Sequence, residues 1–144
     1  SRIHPVNFNQ HHNPKNMPDL IAAADLAICA GGQTMLELAY CGVPTIAMIL
    51  ESDQVPNVIE MDKLGCVASV GTATDPGWLD RVDKTLVRLF QQGEERRRMS
   101  ELGLQTIDGQ GAKRLAHEIC EKISKHEKWP DSSSGVLNSQ GAAG

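Results

Sequence analysis

The chain has 144 residues, enough for one domain with a real core, and its 40% hydrophobic and 22% charged residues are the balance of a globular protein. Aromatics are only 3% and the net charge is -4, which argues against a base-stacking platform or a broad basic footprint, so no nucleic-acid partner is expected. Four cysteines, none spaced as C-x-x-C, are expected as buried free thiols of a reducing, cytoplasmic compartment; no secretory leader is legible, and no apolar run reaches the ~20 residues of a membrane span.

In chain order, "HPVNFN" (4–9) alternates apolar and polar and reads as the end of a strand, followed by the loop "QHHNPKN". "MPDLIAAAD" (17–25) reads as a short helix with Pro18 early, where proline is tolerated. "LAICA" (26–30) is a candidate buried strand. "TMLELAYCG" (34–42) has helical apolar spacing and a stop at Gly42. "VPTIAMIL" (43–50) reads as a buried strand, "DQVPNVIEMDKLG" (53–65) as a helix ended by Gly65, and "CVASV" (66–70) as a further strand. Beyond "GTATDPG", "WLDRVDKTLVRLFQQ" (78–92) places Trp78, Leu79, Val82, Leu86, Leu89 and Phe90 on one side of an amphipathic helix. Two more helices follow, "EERRRMSELGLQTI" (94–107) and "AKRLAHEICEKISKHEKW" (112–129).

Strand and helix alternate, and the strands are apolar without alternation. That predicts an α/β fold: a Rossmann-like parallel sheet with helices on both faces. The domain is expected to span 1–128, with "PDSSSGVLNSQGAAG" closing a small, polar, disordered tail over 129–144. About four strands are legible, fewer than the five or six usual in a nucleotide-binding α/β sheet. The chain therefore reads as a truncated half of a larger protein, its first strands missing.

The stretch "AGGQTMLE" (30–37) carries the most chemistry. Gly31 and Gly32 lie between a strand and a helix. Glycine permits a sharp turn there and lets a ligand approach the backbone. The first N–H groups of the helix lack internal acceptors, and the helix dipole favours an anion. The same letters have a purely structural explanation. Thr34-x-x-Glu37 is a capping box, in which Thr34 caps the helix and Glu37 reaches back to the cap N–H. The pattern is neither G-x-G-x-x-G nor a P-loop, since no lysine follows.

"DLAICAGGQTMLELAYCGVPTIAMILESDQVPN" (25–57) resembles the donor-binding half of two-domain, GT-B-type sugar-nucleotide enzymes. The shared pattern is an Asp before a strand, Gly-Gly, a Ser or Thr, a Glu early in the helix, then Gly-x-Pro, a strand and a Gln/Asn-bearing turn. It is similar to the C-terminal domain of family 28 glycosyltransferases, and more closely to UDP-sugar hydrolases of pseudaminic acid synthesis and related spore-coat polysaccharide proteins. "DGQGAKRLAHEI" (108–119) resembles the last helix of that hydrolase group, and the likeness covers roughly residues 5 to 123. It implies that Gly31, Gly32, Gln33 and Thr34 lie against the diphosphate of a UDP-sugar, that Glu37 accepts from the ribose hydroxyls, and that Gln54 and Asn57 touch the sugar or second phosphate. Gln33 departs from the Ser usual in the hydrolases. No cofactor and no metal are implied.

Other residues are expected to be structural. His11 and His12 are adjacent and point apart, with no Cys, Asp or Glu cluster beside them, so they read as a solvated loop. His4 is a lesser candidate for the nucleotide. Arg96, Arg97 and Arg98 read as a solvated helix face, and Asp80 and Asp83 as surface charges. Glycosyl transfer or hydrolysis needs a base for the acceptor and stabilisation of the leaving diphosphate. This chain offers the second, and its catalytic residues remain unknown. The resemblance places the base and acceptor site on an N-terminal domain that is missing here, so the isolated chain is expected to be inactive. An α/β interaction module that has lost nucleotide binding is the alternative of a different class.

Overall fold

The computed structural model describes residues 7–125. They fall into two compact units, divided between Asp108 and Gly109.

The first unit begins irregularly. Asn7 to Gln10 adopt no regular structure, so the strand expected over 4–9 does not extend into them; residues 4–6 lie outside the described residues. Helix α1 (Met17–Ala22) carries Pro18 in its first turn, where the missing N–H costs no intrahelical bond. Strand β1 (Ala27–Ala30) runs through Gly31 and Gly32 into α2 (Gln33–Tyr40). Past Cys41 the chain turns left-handed at Gly42, φ +69°. The Gly42 N–H donates to the Ala39 carbonyl at 3.0 Å and the Val43 N–H to that of Leu38 at 2.9 Å. This pair of bonds satisfies the last carbonyls of α2 and releases the chain into β2 (Thr45–Ile49).

The same device recurs one unit later. A 3₁₀ turn (Ser52–Gln54) leads into α3 (Val55–Lys63), with Pro56 in its first turn. Gly65, φ +75°, then ends the helix, with its N–H bonded to Asp62 at 2.9 Å and that of Cys66 to Met61 at 2.9 Å. Strand β3 (Val67–Thr72) follows, then α4 (Trp78–Gln91) and α5 (Gly93–Thr106).

Among the described residues the sheet has three strands in the order β1-β2-β3, all parallel. Ala27 stands opposite Thr45, and Thr45 opposite Val67. Ala47 pairs with Ser69 but Ile49 with Thr72, so β3 carries one extra residue in this step, beside Gly71 at φ +77°. Side chains of β2 alternate between two cores. Ala47 and Ile49 pack with Met35, Ala39, Val58 and Met61 of α2 and α3. Ile46 packs with Val70, Leu89 and Met99, which brings α4 and α5 onto the other face. The sheet is thus covered on both sides, as the unalternated apolar strands predict. Each fully buried side chain such as Met35, Val58 or Leu89 contributes roughly 1.5–3 kcal/mol of transfer free energy.

Three expectations need correction. Strand β1 is not buried: it is an edge among the described residues, and Ile28 is 45% exposed while its register partner Ile46 is 0% exposed. On α4, Val82, Leu86 and Leu89 pack inward, but Leu79 and Phe90 are exposed. Successive helical residues point about 100° apart, so an inward Leu89 turns Phe90 outward. The four cysteines are all free, but only Cys66 is buried; Cys29 is half-buried and Cys41 and Cys120 are exposed. Cys41 closes α2 at the surface, and Cys120 sits on a helix whose residues are all exposed.

Helix α5 lies at the amino end of the strands. Its Ser100 and Leu104 flank Gly42 and its Leu102 flanks Gly65, the two glycines that launch β2 and β3. The candidate ligand end, where the strands finish, is the opposite one.

The second unit holds α6 (Gly111–Lys125), the described part of the helix expected over 112–129. Leu115, Ile119 and Ile123 recur every four residues on it, and Glu121 pairs with His117 and Lys125 at 3.4 Å each. The tail expected over 129–144 lies outside the described residues. Among the described residues no helix is long and apolar enough to cross a membrane.

Candidate functional site

Two strand-to-helix connections carry the seven candidate residues, both at the carboxyl end of the sheet. The first joins β1 to α2. Gly31 continues the parallel ladder, its N–H donating to the Met48 carbonyl at 2.9 Å. Gly32 is extended (φ -91°, ψ -156°) and is the N-cap residue, so α2 starts at Gln33. Neither glycine has a positive φ. The expected need for special turn angles is therefore not what selects them.

Space distinguishes the pair. A Cβ on Gly31 would stand 2.1 Å from Cγ2 of Val58 and 3.4 Å from Cβ of Gln54. Gly31 is thus the seat on which the first turns of α3 rest. A Cβ on Gly32 would meet nothing within 4 Å. No neighbouring protein atom demands a glycine there, and the space above its backbone is open.

The capping box does not form. With Gly32 as N-cap, Thr34 is the second helical residue and Met35 the third, and no side chain caps the helix. The Met35 N–H bonds back to the Gly32 carbonyl at 3.2 Å. The two glycines carry the strand straight into the helix two residues earlier than the box requires, which moves Thr34 and Glu37 out of register for it. Gln33, Thr34 and Glu37 are all exposed. Gln33 and Glu37, four apart, share one helix face, and Thr34 and Glu37, three apart, are also neighbours. No acidic residue occupies the first turn of α2. The N–H groups there present uncompensated positive dipole to solvent.

The second connection joins β2 to α3. Gln54 is half-buried, and its Oε1 accepts the Leu50 backbone N–H at 3.0 Å. Since that partner is a donor, the amide oxygen is fixed on it and the Nε2 donors face away. Gln54 thereby pins the loop and lies beside Gly31. Asn57 is exposed on the first turn of α3, one residue before Val58. The fold therefore brings Gln54, more than twenty positions along the sequence, beside Gly31, and leaves Asn57 exposed next to the Val58 that packs on that glycine.

A third connection, from β3 to α4, ends at the same edge, and no candidate residue lies on it. Arg81 staples it: Nε donates to the Val70 carbonyl at 2.7 Å, Nη1 to that of Pro76 at 3.2 Å, and Nη2 pairs with Asp75 at 3.6 Å. Its sequence trace is Gly71 and Gly77, both left-handed, bracketing the turn.

The described part of the chain matches the model of the glycosyltransferase family 28 C-terminal domain over residues 7–119. The chain belongs to that family. The matched span takes in all three strands and all seven candidate residues of this glycosyltransferase domain. No curated protein and no solved structure matches the chain.

Other candidates of the family domain sit elsewhere. His11 and His12 are exposed in an irregular segment, and among the described residues no three His, Cys, Asp or Glu side chains gather as a metal site. Arg96 is not simply solvated. Its guanidinium donates to the carbonyls of Leu89 and, at 2.9 Å, Phe90, closing the end of α4. Burial pushes the thiol of Cys29, two residues before Gly31, up to about 11, which disfavours its thiolate at neutral pH.

Proposed function

We propose that this domain binds the nucleotide-diphosphate part of a UDP-sugar, for glycosyl transfer or hydrolysis at the anomeric carbon. The observation that carries the reading is Gly32, a glycine that no neighbouring atom requires, at the uncapped start of an eight-residue helix. Backbone N–H groups of Gly32, Gln33 and Thr34, with the Thr34 hydroxyl, would cradle the diphosphate. The Gly31 N–H is already engaged by Met48, so Gly31 serves by packing. Glu37, one turn along the exposed face, would accept from two adjacent ribose hydroxyls, as an ionised carboxylate can. Gln54 would offer its Nε2 donors, and Asn57 its amide, to the sugar or second phosphate.

Family membership supports a sugar-nucleotide donor and a partner N-terminal domain, because the family is defined as the C-terminal part of a glycosyltransferase. The base that activates the acceptor would come from that second domain. Water as acceptor makes a UDP-sugar hydrolase, of the kind found in pseudaminic acid synthesis; a sugar or lipid makes a transferase.

Titration of the ¹⁵N-labelled chain with UDP tests the proposal. Saturable shifts at Gly32, Thr34, Glu37 and Gln54 are expected. An unchanged spectrum at millimolar UDP, together with a stable dimer in solution, would favour the interaction module instead.

A further inference from the structure

At the amino end of β3, away from the glycine pair, a cleft of about 330 Å³ opens between the last turn of α3, the end of α4 and α5. This volume lies at the lower end of the ~300–1,000 Å³ range of small-molecule sites. Buried Val67, Ala68 and Met99 contribute an apolar lining. Charged residues rim it: Lys63, Arg88 and Arg98 against Asp62 and Glu95.

The two carboxylates are already engaged. Asp62 Oδ1 accepts the Ser69 backbone N–H at 2.7 Å, and Glu95 pairs with Arg88 across the α4–α5 turn. Among the described residues Lys63 pairs with Glu60 alone, at 3.8 Å, with both side chains about two-thirds exposed, a pair worth little in water. Arg98 makes no hydrogen bond or ion pair among the described residues. The rim therefore has an uncommitted guanidinium and a loosely held ammonium above an apolar floor. A planar guanidinium suits an oxyanion, which it can bind through two parallel hydrogen bonds. An apolar body on that anion would remove the floor from water.

We propose that this cleft binds a small amphiphilic anion: an oxyanion head, met by Arg98 and Lys63, on a short apolar body that lies against Met99 and Leu102. The site is separate from the proposed donor site, at the other end of the strands.

Octyl phosphate, kept monomeric, is the probe, titrated into the ¹⁵N-labelled chain. Saturable shifts at Gly65, Ala68, Arg98 and Leu102 are expected, with Gly32 to Glu37 unmoved. Inorganic phosphate and octanol, each supplying half the chemistry, are expected to bind at least about tenfold more weakly. Arg98→Glu is expected to weaken octyl phosphate by at least about tenfold. Arg97→Glu, on an exposed residue outside the cleft, is expected to change nothing. The proposal is overturned by no saturable shift in the cleft at low millimolar probe, by equal loss in the two variants, or by inorganic phosphate binding as well as the ester. Binding to anionic lipid vesicles without binding of the monomeric ester overturns it too, because that result belongs to a charged surface and not to a cleft. A negative UDP titration leaves these outcomes unaffected, so the two proposals fail separately.

Discussion

A methyl group added at Gly31 would stand 2.1 Å from Val58 Cγ2, while one added at Gly32 would meet no atom within 4 Å. Two adjacent and chemically identical residues are therefore held by different requirements, and substitution separates them. Gly31→Ala is expected to destabilise the domain by about 1–3 kcal/mol, since α3 must move off its seat. Gly32→Ala, at a φ that alanine adopts freely, is expected to cost at most about 1 kcal/mol, the preference for glycine over alanine at an N-cap. It is also expected to weaken UDP by at least about tenfold. Urea midpoints and UDP titrations on the two variants read both effects. Wild-type stability in Gly31→Ala would contradict the packing role, and wild-type UDP affinity in Gly32→Ala would remove the close backbone approach from the proposed function. The sequence marks both glycines as one feature, because a string of letters has no neighbours in space. Only the position of Val58, from the next helix, tells them apart.

Helices of this domain meet at points that small residues make possible. A Cβ at Gly103, in the last turn of α5, would lie 2.7 Å from the Ala39 carbonyl oxygen of α2. Backbone cannot yield as a flexible side chain can. Gly103→Ala is therefore expected to destabilise by about 1–3 kcal/mol, although alanine is intrinsically the better helix former by about 1 kcal/mol. Gly93→Ala, at the start of the same helix with its nearest atom 3.9 Å away, is the control and is expected to be neutral or mildly stabilising. Thermal melts decide; two variants of equal stability would show that the α2–α5 crossing is not tight. At this scale the sequence is informative. The order of elements from α1 to α6 follows from apolar spacing, early prolines and the stops at Gly42 and Gly65, each of which depends on a few adjacent residues. The errors lie where neighbours decide. The exposure of Ile28 depends on which strand is at the edge, and that of Phe90 on which face of α4 the sheet takes. The capping box fails because the helix starts at Gln33, which the extended path through Gly31 and Gly32 sets.

For the whole molecule, the functional question is what one domain can do alone. A donor site at the carboxyl ends of three parallel strands supplies phosphate and ribose contacts in the proposed reading, with no base assigned. The isolated chain is expected to release no UDP from UDP-sugars above the buffer background over hours. Measured turnover would place the base within this chain and overturn the division of labour between domains. The sequence by itself determined the α/β class, the parallel sheet covered on both faces and the glycosyltransferase family 28 membership. These rest on periodicity and on motifs written in consecutive residues. Tertiary structure alone decided that Gln54 lies beside Gly31, that Gly32 has open space above it, and that Arg98 overlooks an apolar cleft at the far end of β3. Each of these is a meeting of elements far apart in the chain, fixed when helices pack onto the sheet and absent from any local stretch of sequence.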